Sequence, residues 1–191
     1  MINEIFSTPI YECKMPDHER LKEAFLPFSV DDANFATPVG WSCNADSTFG
    51  NEPIAGMPWD KFFNSVLPLV EKYVNDIGGI GQYSIGCQAW MNRYNYGQHQ
   101  EVHAHSNGSN VISCAYMLEK PENSGDFVFY KSSNDFFQKV NLQTEIYGNK
   151  YVPEMTEGSV VLFPSSLDHY VTYNQTQATR VTISANFAIT F

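Results

Sequence analysis

The chain has 191 residues, enough for one domain with a sizeable core and short for two full domains. Apolar residues make up 43% of the sequence, which excludes disorder on composition, and the 15% of aromatic residues favours β structure. The formal charge of −10 opposes loose association with nucleic acid or with anionic membranes.

Neither a targeting segment nor a membrane span is expected. The opening residues MINEIFSTPIYE lack a basic region followed by an apolar core, and no apolar run approaches the roughly 20 residues of a transmembrane helix. The four cysteines form no CxxC pair, which is typical of reduced thiols in a cytoplasm. We therefore expect a cytoplasmic protein.

The N-terminal part, residues 1–82, predicts a strand, an irregular segment and helices. Residues 5–13 favour a short strand and residues 17–26 a short helix. Residues 29–57 are rich in Pro, Gly, Asn and Asp, which predicts a long irregular segment. A clear helix then follows, with Pro58 at its first turn and Gly78-Gly79 at its end. Its apolar residues recur at helical spacing: Phe62, Phe63, Val66, Val70, Tyr73, Val74 and Ile77.

From residue 83 to residue 191 the sequence predicts short strands rich in Val, Ile, Phe, Tyr and Thr, most of them separated by turn residues. The predicted strands are 83–96, 99–105, 111–118, 126–130, 136–142, 159–164, 169–174 and 180–191. Many short strands at such spacing favour a mainly β fold, here a cupin-like jelly roll with supporting N-terminal helices, in a single domain over residues 1–191.

The last predicted strand alternates between apolar and polar residues from Arg180 to Phe187. Its polar face begins with Arg180 and continues with Thr182, Ser184 and Asn186. A charged residue at the head of a polar face indicates that this face lines a cavity or meets solvent.

The segment HQEVHAH contains three of the five histidines. If it is a strand, His99, Glu101, His103 and His105 share one face, because side chains at every second position project in parallel. Three imidazoles and a carboxylate make a poor core face, since buried polar groups need partners. A metal ion is one partner that satisfies several of them together.

A third ligand must come from elsewhere in the chain, and His169 is the remaining candidate. Arg180 follows it on the polar face of the final strand. An HxH pair, a distant histidine and a later arginine describe a non-haem iron site with a 2-oxoacid anchor. The arginine would hold a carboxylate through bidentate, charge-assisted hydrogen bonds.

Six segments carry a resemblance to a known family: FSTPIYE, VGWSCNAD, WMNRYNYGQHQEVHAH, VISCAYMLEKPENSGDFVFY, PEMTEGSVVLFPSSLDHYV and RVTISANF. They resemble the 2-oxoglutarate–iron(II) oxygenases of bacteria and marine phages, which are relatives of prolyl 4-hydroxylases. The resemblance covers nearly the whole chain. If the protein is encoded by a phage, the host cytoplasm becomes its expected location.

The resemblance implies a double-stranded β-helix that binds Fe(II) and uses 2-oxoglutarate and O2 as co-substrates. It assigns the metal to His103, His105 and His169 and the 2-oxoglutarate anchor to Arg180. The implied reaction is hydroxylation of a C–H bond with release of succinate and CO2. The substrate is an unidentified small molecule or peptide, with prolyl hydroxylation the first hypothesis by kinship, and no nucleic-acid or membrane partner is implied.

The sequence departs from the wider superfamily at two positions. His105 stands where prolyl hydroxylases carry the carboxylate of an HxD pair, so Glu101 or Asp126 could complete the site instead. Met117 stands where related sequences often show a tyrosine. The residues that could contact 2-oxoglutarate beside Arg180 are Tyr94, Tyr116, Ser184 and Asn92.

Three other interpretations remain at this point. A cupin-like metalloprotein that does not use 2-oxoglutarate would share the fold and the HxH pair, although Arg180 opposes it. Three histidines also suit a catalytic zinc. A jelly-roll module that binds a ligand or partner without catalysis would leave its histidines exposed or hydrogen-bonded.

Overall fold

The computed structural model describes residues 7–51, 54–105, 108–131 and 149–190, so the predicted strand at 136–142 lies outside the described residues. Within those ranges the prediction of a mainly β fold is confirmed. The strands are β1 (Tyr11–Lys14), β2 (Asp46–Ser47), β3 (Ser84–Tyr94), β4 (Gln100–His103), β5 (Asn110–Glu119), β6 (Phe127–Tyr130), β7 (Lys150–Tyr151), β8 (Ser159–Pro164), β9 (His169–Val171) and β10 (Arg180–Thr190).

Two helices precede the long strands, as predicted. They are α1 (His18–Ser29) and α2 (Trp59–Asp76), and a short 3₁₀ helix spans Asp32–Asn34. The helix α2 begins directly after Pro58, and its apolar stripe is buried against the sheet. None of the described helices combines the length and the hydropathy that a membrane span requires.

The described strands form two antiparallel sheets. The larger sheet has the order β1-β8-β5-β10-β3-β2, and the smaller one has the order β4-β9-β6-β7. β10 pairs along its length with β3 on one side and with β5 on the other. The last strand of the chain is therefore central in the larger sheet, where both of its faces are covered.

Two apolar clusters follow from this layering. The first lies between the helices and the outer face of the larger sheet, and it includes Phe62, Val66 and Ile183. The second lies between the two sheets and includes Met117 and Phe127. The predicted alternation of β10 is thereby explained, because its apolar residues face the helices and its polar residues face the smaller sheet.

A glycine two residues before β6 gives a test of this packing. Gly125 has a φ of +87°, and a Cβ placed on it would clash with the carbonyl oxygen of Thr172. Gly97 has a similar φ of +75° but open space around it. We expect Gly97→Ala to lower the free energy of unfolding by about 1 kcal/mol and Gly125→Ala by about 3 kcal/mol or more.

Chemical denaturation of the two variants checks this expectation. Equal losses of stability would mean that the backbone of β6 can move away from Thr172, contrary to the packing described.

Candidate metal centre and adjoining cavity

Three histidines converge between the ends of two paired strands. His103 ends β4 and lies opposite His169, which begins β9. His105 follows β4, and its backbone N–H donates to the carbonyl of Ser165 at 2.8 Å. The ring nitrogens that the three side chains offer lie within 4.8 Å of one another. Among the described residues, these are the only three His, Cys, Asp or Glu side chains grouped closely enough to hold a metal ion.

Hydrogen bonds fix the orientation of the first two rings in the same way. The Nδ1 of His103 lies 2.8 Å from the carbonyl oxygen of Glu101, and the Nδ1 of His169 lies 2.9 Å from that of Leu167. A carbonyl oxygen only accepts, so each Nδ1 carries the proton and donates it. The Nε2 lone pair of each ring is then free for a metal ion.

The third ring is held by a side chain of the central strand. Asn186 Oδ1 lies 2.8 Å from the Nδ1 of His105 and 2.8 Å from the hydroxyl of Ser113, which donates to it. An amide oxygen also only accepts, so His105 has its proton on Nδ1 as well. All three rings therefore present Nε2, and this donor set fits a divalent transition metal.

Burial keeps two of these imidazoles neutral. Desolvation, with a smaller contribution from His103, lowers the pKa of His105 to about 4. The same two causes, together with the charge of His105, lower the pKa of His169 well below its ordinary value. Neutral imidazole is the form that binds metal.

The predicted single face of HQEVHAH is not what the structure shows. Gln100 pairs with Val171 and His103 pairs with His169, so β4 contains one residue more than its partner over this stretch. Such a bulge breaks the alternation of side chains. As a result, the ring of His99 packs against Tyr173, with ring centres 4.4 Å apart, outside the histidine group.

The two carboxylates considered as metal ligands also lie outside the histidine group. Glu101 accepts from the backbone N–H of Ser42 at 2.9 Å and from the side-chain amide of Gln100 at 2.9 Å. Asp126 is largely exposed and lies 3.7 Å from the ammonium of Lys120. Neither belongs to the described group that could hold a metal.

Arg180 is fully buried in the same cavity that the three histidines line. Its Nη1 donates to the carbonyl of Gly125 at 3.2 Å, its Nη2 lies 3.3 Å from the sulfur of Met117, and its guanidinium faces the ring of Tyr94. Its Nε is buried without a hydrogen-bond partner. Among the described residues, no carboxylate lies within ion-pairing distance of it.

The other buried arginine, Arg93, shows what a balanced guanidinium requires in this protein. It lies 2.8 Å from a carboxylate oxygen of Asp32 and 3.5 Å from one of Asp46. Arg180 has no such neighbour among the described residues, so its site is suited to an anion that comes from outside the chain.

Three of the four other predicted 2-oxoglutarate contacts line this cavity: Tyr94, Asn92 and Ser184. Burial raises the pKa of Tyr94 to about 12, so its phenol stays protonated and can donate a hydrogen bond. Sequence reasoning missed Trp41, Gln100 and Phe127, which also line the cavity and come from a loop and two short strands.

Tyr116 does not line this cavity. It lies on the opposite face of β5, where its ring stacks on Phe62 and its hydroxyl lies 2.8 Å from the Nδ1 of His18. The neighbouring Met117 points into the cavity instead. His18 is itself largely buried, with 14% of its side chain accessible.

The fold and the histidine cluster together define a jelly-roll protein with a candidate centre for a divalent transition metal. A family model described as "Putative 2OG-Fe(II) oxygenase" matches residues 88–186, which include all three histidines and Arg180. The chain belongs to this family of 2-oxoglutarate–iron(II) oxygenases, and Fe(II) and 2-oxoglutarate are its cofactor and co-substrate. No curated protein sequence matches the chain, and the comparisons give no support to a phage origin.

Solved structures show the same jelly-roll fold at low sequence identity. A prolyl-4-hydroxylase from Pseudomonas putida is 12% identical with a TM-score of 0.63, covering 95% of this chain and 93% of its own. A prolyl hydroxylase from Trichoplax adhaerens, in complex with a hypoxia inducible factor peptide, is 14% identical with a TM-score of 0.66, covering 95% and 84%. HygX from Streptomyces hygroscopicus, with nickel and 2-oxoglutarate bound, is 11% identical with a TM-score of 0.58, covering 95% and 83%.

The hydrogen bond from His105 to Asn186 generates a prediction about metal affinity. Asn186→Leu removes the acceptor that orients the ring, so we expect Ni(II) to bind about 10–100-fold more weakly. Asn186→Asp keeps an acceptor at the same place and should bind Ni(II) at least as tightly as the unmodified protein. Titration calorimetry without 2-oxoglutarate measures both, and equal affinity of the Leu variant would show that the ring needs no such support.

Proposed function

We propose that this enzyme hydroxylates a C–H bond of its substrate, with His103, His105 and His169 holding its iron. 2-Oxoglutarate and O2 are consumed, and succinate and CO2 are released. The observation that carries the proposal is the buried Arg180, which has no carboxylate partner among the described residues and lines one cavity with three Nε2 atoms.

His103, His105 and His169 would hold the iron and, as only three protein ligands, would leave room on it for 2-oxoglutarate and dioxygen. When bound there, iron(II) supplies the activation of dioxygen that C–H hydroxylation requires. The histidines contribute by holding the ion at fixed geometry, since each ring is oriented by its own Nδ1 hydrogen bond.

Arg180 would bind the far carboxylate of 2-oxoglutarate. Its Nε has no hydrogen-bond partner among the described residues, so it is available for a charge-assisted hydrogen bond. Tyr94 and Ser184 line the cavity beside it and offer hydroxyl groups to the same carboxylate. The positive charge of the buried guanidinium and the negative charge of the carboxylate would thus balance each other.

Aromatic rings surround the innermost histidine and exclude water from it. The ring of His169 lies 4.8 Å from that of Phe163 and 5.2 Å from that of Phe127. Exclusion of water strengthens the electrostatic interactions within the site and limits side reactions of the oxidant.

The substrate can be proposed only as a class. Two of the similar structures are prolyl hydroxylases, one of them bound to a peptide, so a prolyl or other peptide substrate is the first hypothesis. The cupin-like alternative without 2-oxoglutarate leaves the buried charge of Arg180 unexplained. Membership in an oxygenase family also disfavours the non-catalytic binding module.

The proposed ligand set predicts the effect of removing one histidine. With iron(II) and 2-oxoglutarate under air, the protein should form succinate slowly even without substrate. His169→Ala should abolish this, because two remaining ligands hold the ion poorly. Succinate is measured by chromatography.

His99→Ala is the matched control, since His99 lies outside the histidine group. It should retain the succinate formation of the unmodified protein. Equal activity of the two variants, with circular dichroism unchanged, would contradict the ligand assignment.

The proposed anchor predicts a change in the 2-oxoglutarate requirement. Arg180→Met keeps the bulk of the side chain and removes its charge, which should cost about 2–5 kcal/mol of binding free energy. The half-saturating concentration of 2-oxoglutarate should therefore rise roughly 30-fold or more.

Arg93→Met is the control for Arg180→Met, because it removes another buried arginine that already has carboxylate partners. It should lower thermal stability and leave the 2-oxoglutarate requirement unchanged. Titration of 2-oxoglutarate into the Ni(II)-loaded proteins measures the affinity directly, and an unchanged affinity of the Arg180 variant would exclude it as the anchor.

A further inference from the structure

A second cavity opens beside the histidine cluster and shares His103 and His105 with the inner one. It encloses about 960 Å³, its open mouth included. It also shares Trp41, Trp90 and Gln100 with the inner cavity, but neither Arg180 nor Tyr94 lines it. A molecule in this outer cavity would contact the metal centre from the solvent side, which is where a substrate must enter.

One wall of the outer cavity is a continuous row of aromatic rings. Trp41 stacks on Phe49 with ring centres 6.1 Å apart, and Phe49 meets Trp90 edge-on at 5.2 Å. Trp90 in turn lies 5.5 Å from the ring of His105. The row therefore leads to one of the proposed metal ligands. Aromatic faces attract cations as well as apolar groups.

The outer cavity also contains one carboxylate, that of Glu101. The N–H of Ser42, the amide of Gln100 and the thiol of Cys43 donate to its oxygens, which holds the group in place. A carboxylate has about four acceptor positions, so it can bind a further donor. Among the described residues, Glu101 forms no ion pair with a Lys or Arg side chain, and no such side chain lines this cavity.

From this pairing of an aromatic wall with an unbalanced carboxylate we propose that the substrate carries a protonated amine, held by Glu101 and the tryptophan rings. The formal charge of −10 acts in the same direction, since it attracts cations and opposes anionic substrates. The proposal rests on the proposed function in one respect, the position of the oxidised C–H bond. This bond would lie near the bound ammonium group.

Pairs of ligands that differ only in charge test the proposal. One pair is pentylamine and pentanol. The other is a glycine-rich peptide with one lysine, acetylated at its N-terminus and amidated at its C-terminus, and the same capped peptide with norleucine. Binding to the protein loaded with Ni(II) and 2-oxoglutarate is followed by tryptophan fluorescence, because two of the three tryptophans line this cavity. We expect the cation of a pair to bind at least about tenfold more tightly than its neutral partner.

Glu101→Gln keeps the shape of the side chain and removes its charge, so the preference should fall to within about twofold. Glu71→Gln removes the same charge from the exposed surface of α2 and should keep the preference. Neutral ligands that bind as well as the cations, a preference that survives in Glu101→Gln, or no binding of either cation would each overturn the proposal.

The two pairs also distinguish the source of the amine. Tighter binding of the lysine peptide indicates a peptide substrate, and tighter binding of pentylamine indicates a small molecule. Succinate formation by the unmodified protein is measured separately. Its absence would count against the proposed function, whereas the charge preference is decided by binding alone.

Discussion

Burying the guanidinium of Arg180 costs several kcal/mol unless its charge is balanced. The carbonyl of Gly125, the sulfur of Met117 and the ring of Tyr94 offset only part of this cost, since none of them is ionised. Burial lowers the pKa of Arg180, although an arginine remains charged at neutral pH. The fold tolerates the charge because β10 is held between two long strands, and an anionic ligand would complete the balance.

The same central strand, β10, contributes both to the proposed 2-oxoglutarate anchor and to the support of the histidine cluster. Arg180 begins β10 and Asn186 lies further along the same polar face, where it orients His105. The other two histidines are set by the pairing of β4 with β9 and by a repeated local bond, in which each Nδ1 donates to the carbonyl two residues earlier. One strand pair and one face of a third strand thus fix all three rings, which explains how ligands from distant parts of the sequence converge.

Period-two patterns predicted which residues of β10 share a face, and they failed in β4, where the period breaks. The polar face of β10 could be predicted because apolar and polar residues alternate without a break from Arg180 to Phe187. In β4 a bulge turns Gln100 into the cavity and His99 away from it, and a bulge leaves no clear mark in the sequence. The prediction that Tyr116 contacts 2-oxoglutarate also failed, because Met117 and not Tyr116 lines the cavity. Both faces of β5 are buried, so residue type alone does not tell which face meets the cavity. The role of Asn186 depends on contacts across strands, which a single sequence does not reveal.

The two cavities differ in charge, and His103 and His105 line both of them. The inner cavity has the cation of Arg180, which suits an anionic co-substrate, and the outer one has the anion of Glu101, which suits the proposed amine. Opposite charges at the two ends would keep each ligand out of the other's place, because a carboxylate near Glu101 or an ammonium near Arg180 is repelled. A histidine in place of the usual carboxylate fits this arrangement. With histidine at position 105, Glu101 is the one carboxylate among the described residues that lines the outer cavity, so it is the negative charge that a cationic substrate would meet there.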